Sequence, residues 1–225
     1  MQFTIKEITN RQERAAQVSE FFGWPLDLVG KLFDHSKEYF EGIWHAFEAS
    51  ECVDAYYASG FYTIRQMSYT FGDGHVFSGA IQQCLERWKA SLLDFGCGVG
   101  DYVIAHALAG HECYAIEHKG VPIEFLKYRI KKYGVEDRVH VLDSLIYMDK
   151  QVDNAFLLSS LDHVPAPVAF AEAVCKIVKG EIYASPCIDE SYDRPTHEKY
   201  ILRKVPAAFE IIKAHNEKVK HDAIH

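Results

Sequence analysis

Between residues 91 and 188 short apolar runs alternate with amphipathic segments. "SLLDFG", "CYAIEH", "RVHVLD", "NAFLLSSL" and "EIYASPCI" read as strands, and "DYVIAHALA", "PIEFLKYRIKKYG" and "PVAFAEAVCKIV" read as helices. A chain that repeats strand and helix in this way buries both kinds of element by laying its strands parallel in one sheet with helices on both faces. The expected class is α/β, with the sheet domain over residues 89–225. Residues 1–88 lack the alternation and read as helices, for instance "NRQERAAQVSEFF", "PLDLVGKLFDHSKEYFEGIWHAF" and "SGAIQQCLERW". They form the expected helical N-terminal lobe. All three tryptophans lie in this lobe together with an excess of Phe and Tyr. Most of these rings are core, and the sharper alternative is a pocket for a flat or apolar molecule. At the C-terminus "FEIIKAH" and "VKHDAIH" flank "NEK" and predict a closing antiparallel hairpin, with a helix continuing from "HEKYILRK" as the alternative.

Charge and cysteine usage narrow the partners. The net charge is -8 and the acidity is spread over both halves, whereas binding to a long phosphate backbone usually needs a basic face, so no nucleic-acid partner is expected. No apolar run approaches the ~20 residues of a membrane span, and "MQFTIKEITNRQER" has no apolar core of a secretory signal, which predicts a cytoplasmic location. The six cysteines form no CxxC pair and no cluster of zinc spacing, so reduced thiols and no metal site are expected. His215, His221 and His225 of the tail read as surface residues.

Behind the first strand stand three glycines at alternate positions, Gly96, Gly98 and Gly100, in "LLDFGCGVGD". A glycine-rich turn from strand into helix lets a ligand approach the loop backbone and the unpaired N–H groups of the helix. Dinucleotide sheets use GxGxxG and present a pyrophosphate to the helix. Here the spacing is GxGxG and the next residue is Asp101, a carboxylate that repels a pyrophosphate and tolerates or holds a cationic ligand.

This stretch, beginning at Asp94, resembles the first motif of the class I S-adenosylmethionine-dependent methyltransferases, an acidic residue and one further residue before GxGxG. Three further signals follow in order. Glu117 ends the next strand, where a carboxylate can accept both hydroxyls of a ribose. Asp143, with Ser144 beside it, ends the third strand where the family reads the adenine amino edge. "VDNAFLLSSLDHVPAP" is similar to the fourth-strand segment of small-molecule enzymes such as the ubiquinone-pathway O-methyltransferases, which places Leu158 against the cofactor's methionine part. The resemblance covers about residues 91–190. It implies a Rossmann-like sheet, S-adenosylmethionine as cofactor, and methyl transfer to a small-molecule substrate. It does not extend clearly into the helical lobe, which is expected to close over the site as a lid because of its aromatic excess and its position just before the first strand. A non-catalytic cofactor-binding protein and a nucleotide-dependent oxidoreductase are the competing readings, and the glycine spacing with Asp101 disfavours the second.

Methyl transfer needs few catalytic groups, because the electrophile is already activated by its charge. His163 follows the fourth strand at the ligand edge of the sheet and is the candidate base. Arg65 is the only Lys or Arg between Lys37 and Arg87, and its guanidinium is a candidate clamp for the cofactor's carboxylate or an acidic substrate. His75 in "GDGH" is a weaker candidate of the same kind. Cys187 reads as a structural thiol, since the Pro-Cys that RNA cytosine-5 methyltransferases also need is lacking. Among Tyr56, Tyr57, Phe61, Tyr62 and Tyr69, helical spacing sends some to the core and leaves others to face the methyl group.

Overall fold

The computed structural model of the chain describes residues 8–50, 52–68, 79–185 and 199–222. Five strands form one parallel sheet: β1 (Leu92–Phe95), β2 (Cys113–Ile116), β3 (Val139–Leu142), β4 (Asn154–Leu158) and β5 (Ile182–Ser185). Their order is β3-β2-β1-β4-β5. Side chains alternate between the two faces of a strand, so consecutive residues enter different cores. Leu92, Cys113, Ala115 and Phe156 face one cluster, and Leu93, Tyr114, Ile116, Ala155 and Leu157 face the other. This double burial explains why the strands read as mostly apolar runs.

On the first face lie α7 (Asp101–Leu108) and α8 (Val121–Tyr133), joined by α6 (Gly79–Arg87), whose Cys84 and Leu85 pack there with Trp88. The second face is covered by α9 (Pro167–Ile177) and α10 (Lys199–Asp222). The helix α10 corrects the expected hairpin. Val205, Ala208 and Ile212 are buried against the sheet, a spacing of three and four that belongs to a helix and not to alternating strands. The helix also serves the sheet edge. The Asn216 side chain accepts from the Ile182 N–H at 2.9 Å and donates to the Ile182 carbonyl at 2.8 Å, as a neighbouring strand would. His215, expected on the surface, is half-buried with Nε2 2.8 Å from the Gly180 carbonyl.

Five helices build the N-terminal lobe: α1 (Arg11–Phe22), α2 (Leu26–Asp34), α3 (Ser36–Ala49), α4 (Val53–Tyr57) and α5 (Gly60–Ser68). Asn10 caps α1 by accepting from the Glu13 N–H, and Gly23 ends it in the left-handed conformation. The lobe's core of Val18, Val29, Phe33, Phe40, Ile64 and Met67 continues into Val99 of the glycine loop and Phe125 of α8. Among the described residues no helix is long and apolar enough to cross a membrane.

Candidate active site

The chain leaves β1 toward β2 on one side, while β4 pairs on the other side of β1. At such a switch point the connections diverge beyond the carboxyl ends of the strands and leave a crevice. A cavity of about 540 Å³ occupies it. Phe95 and Gly96 reach it from β1, Glu117 and Lys119 from β2, Asp143 and Ser144 from β3, and Ser159 and His163 from β4; Tyr57 and Tyr62 close it from the lobe. Five of the sequence-predicted residues, Gly96, Glu117, Asp143, Ser144 and His163, therefore share one cavity. Asp94, Gly98, Gly100 and Leu158 are not among its lining residues. Arg65 does not line it either: its Nη1 donates to the Tyr56 hydroxyl at 3.1 Å. Tyr69, His75 and Cys187 lie outside the described residues.

Of the lobe's aromatic residues, Tyr56 is fully buried against Trp44, with ring centroids 5.1 Å apart, and Phe61 is exposed. Tyr57 and Tyr62 form the wall. The Tyr57 ring meets His163 edge-on at 5.3 Å and lies 6.0 Å from His118, while Tyr62 is 5.0 Å from Tyr57 and accepts from the Gln66 amide at 2.8 Å.

The glycines are crowded by protein as well as open to the cavity. A Cβ on Gly96 would lie 2.9 Å from the Ser160 Cβ, and one on Gly98 would lie 3.1 Å from Gln66 Oε1. At Gly100, where φ is +81°, a Cβ would run into Leu126 of α8. Each glycine thus admits a different neighbour: the turn after β4, the lobe, and the helix after β2.

The acidic groups define the electrostatics. Glu117 Oε2 accepts from the Gly98 N–H at 2.5 Å, and Oε1 accepts from the His118 N–H at 2.7 Å. Burial raises its carboxyl above the ordinary value, opposed by these two backbone donors. Asp94 is buried beneath the loop, and its Oδ2 has no hydrogen-bond partner among the described residues. Burial, together with the charges of Glu117 and Asp101, pushes its carboxyl up to about 8. Asp143 pairs with Lys119 at 3.3 Å on the exposed rim. Ser159, at φ +51°, is the one non-glycine residue in the left-handed region among the described residues, and it sits in the cavity wall where β4 ends.

Asp101 departs from its expected role. Its carboxylate is buried and holds two cations of the chain itself: Arg14 Nη1 of α1 and Arg129 Nη1 of α8 both donate to Oδ1 at 2.7 Å. Neither arginine carried a signal in the sequence, because each is one cation in an amphipathic helix and their convergence is a matter of tertiary packing.

The residues fit an adenosyl cofactor. A carboxylate ends β2 where two vicinal hydroxyls need acceptors, a polar pair ends β3, the loop backbone is open at Gly96, and an aromatic wall faces them across the cavity. Residues 93–193, just under half of the chain, match the family model described as a methyltransferase domain. No curated protein matches the sequence significantly. Among solved structures, the N-terminal domain of EvdMO1 with SAH bound aligns at 18% identity and TM-score 0.43, over 52% of this chain and 51% of that one. The [4+2]-cyclase SpnF aligns at 20% and 0.44, over 61% and 60%. A precorrin-6y C5,15-methyltransferase from Geobacter metallireducens aligns at 16% and 0.44, over 60% and 69%. The chain spans about half to three fifths of the first two of these relatives, and likeness at this level assigns no activity. The motif, the strand order and the family match agree over the same residues: residues 93–193 of this chain are similar to a methyltransferase domain and fold as a parallel sheet of the order β3-β2-β1-β4-β5.

Proposed function

We propose that the protein transfers a methyl group from S-adenosylmethionine to a small, largely apolar or aromatic molecule. One observation carries the reading: the cavity at the switch point joins the cofactor-type residues of three strand ends to an aromatic wall contributed by the lobe. Glu117 holds the ribose hydroxyls, Asp143 and Ser144 meet the base, and the loop of Gly96, Gly98 and Gly100 receives the rest of the cofactor, with Asp94 beneath it. Leu158 packs from the end of β4. When bound, the cofactor supplies a methyl group already activated by a positive sulfur.

The chain's own residues then have three tasks. Tyr57 and Tyr62 shield the site from water and press a flat acceptor toward the loop. His163, exposed on the cavity rim and 5.3 Å from the Tyr57 ring, is placed to take the acceptor's proton. The Lys119–Asp143 pair at the mouth opens or shifts as Asp143 turns to the base.

Calorimetry tests the cofactor assignment. Glu117→Ala should weaken S-adenosylmethionine binding by about 1.5–3 kcal/mol for each charged hydrogen bond lost, with the melting transition retained. Equal affinity in the variant, or tighter binding of NAD than of S-adenosylmethionine by the wild type, would remove the assignment.

A further inference from the structure

The glycine loop is held from behind by a polar network enclosed in protein. Arg14 and Arg129 are fully buried, and Asp101 between them is buried as well, at 5% exposure. Besides Asp101, Arg14 donates to the carbonyls of Met67 at 2.9 Å, Ile8 at 3.2 Å and Gln66 at 3.2 Å. Arg129 donates through Nη1 to the Val99 carbonyl at 2.5 Å and through Nε to Gln17 Oε1 at 2.9 Å. The Gln17 amide continues to the Tyr133 hydroxyl at 2.9 Å.

Three charges removed from water are an expensive way to hold helices together. Buried ion triads are often matched or exceeded in stability by apolar side chains of similar volume, so packing alone does not account for this one. What guanidinium groups provide and methyl groups lack is direction, because a planar fork fixes the carbonyls and carboxylates it binds. The carbonyls fixed here are informative. Val99 lies between Gly98 and Gly100, and the Gly98 N–H is the donor to Glu117. Gln66 lies against Gly98, and its amide holds Tyr62 of the cavity wall.

We propose that Arg14 and Arg129, joined through Asp101, are positioning residues for the cofactor site. Arg129 fixes the Val99 peptide and so aims the Gly98 N–H at Glu117. Arg14 fixes the end of α5 and so keeps Gln66 and Tyr62 against the loop. The proposal rests on the assignment of Glu117 to the cofactor, and its first readout is independent of that assignment.

The test replaces the triad as a unit, Arg14→Met with Asp101→Leu and Arg129→Met, and compares it with the wild type. A positioning role predicts a cooperative melt retained in the variant, about tenfold faster hydrogen exchange at the Gly98 amide of the ligand-free protein, and unchanged exchange at the β2 amides, tenfold being the size of one typical hydrogen bond. Binding of S-adenosylhomocysteine should weaken about tenfold as well. Should the triple variant not fold, Arg129→Lys keeps the charge opposite Asp101 but has no fork for the Val99 carbonyl and Gln17 together, and the same readouts apply. Wild-type exchange at Gly98 in a folded variant overturns the proposal. A wild type with no affinity for S-adenosylhomocysteine overturns the cofactor assignment instead, and the exchange result then decides the positioning role alone.

Discussion

Asp94 sits in the first strand with a carboxyl pushed up to about 8 by burial and then by the charges of Glu117 and Asp101. The unfolded chain releases this proton near the ordinary 3.8 of aspartate, and the folded chain releases it near 8. Between those values the folded state binds the extra proton, so stability falls as pH rises through the window. Below it both states are protonated and Asp94 makes no difference; above it the loss is complete. Asp94→Asn keeps the shape and removes the titration. Thermal melts of the ligand-free protein should therefore show the wild type losing ground to Asp94→Asn as pH rises from about 4 to about 9. Slope left in the variant comes from other shifted groups of both signs, falling with pH for Glu117, raised by burial, and rising with pH for His106, lowered by burial to about 4, so the difference between the two curves is what reports Asp94. Parallel curves for the two proteins would show that Asp94 is ionised in the fold. At this scale the sequence was legible where a role follows from position along a strand. Glu117 was placed by its position at a strand end and Asp143 by the family resemblance at the next one, and both line the cavity. Asp101 was misplaced because its partners lie 87 and 28 residues away in sequence, beyond the reach of any spacing argument.

Among the elements, α10 shows where local reading fails and why. "FEIIKAH" is rich in residues that favour strands, yet Phe209 and Ile211 are only half-buried, and the burial follows Val205, Ala208 and Ile212 around a helical face. Tertiary packing against β5 and α9 overrides the local preference. The consequence falls on β5, which has β4 on one side and the Asn216 amide meeting its backbone at Ile182. Asn216→Ala removes both bonds and leaves an N–H and a carbonyl short of partners. Unfolding in urea should then show a loss of about 1–3 kcal/mol with the m-value unchanged, since the surface exposed on unfolding is the same. A loss below about 0.5 kcal/mol would mean that water replaces the amide without cost, as at a surface position. The parallel strands, by contrast, were legible as short apolar runs: burial on both faces removes the alternation, and runs of four residues are too short for a helix.

Across the whole molecule the lobe and the sheet domain are joined at several separate places. The triad ties α1 to α7 and α8, Lys132 of α8 pairs with Glu20 of α1 at 2.7 Å, and the Val121 N–H donates to the Ala58 carbonyl at 3.0 Å. At the last of these the backbones approach so closely that a Cβ on Gly120 would lie 2.5 Å from the Ala58 oxygen. A lobe fixed in this way cannot swing as one body without breaking the buried triad, which removing one partner alone would make costly by about 3–5 kcal/mol. Closure over a cofactor is therefore expected to be local, in the segment that carries Tyr57 and Tyr62. Hydrogen exchange with and without S-adenosylhomocysteine separates the two kinds of motion. Local closure predicts slower exchange at residues 96–101 and 57–62, with residues 11–34 of α1 and α2 unchanged because they are already locked. Slowing throughout residues 11–34 would show instead that the whole lobe loosens in the ligand-free protein, and that the triad forms its bonds only as the site fills.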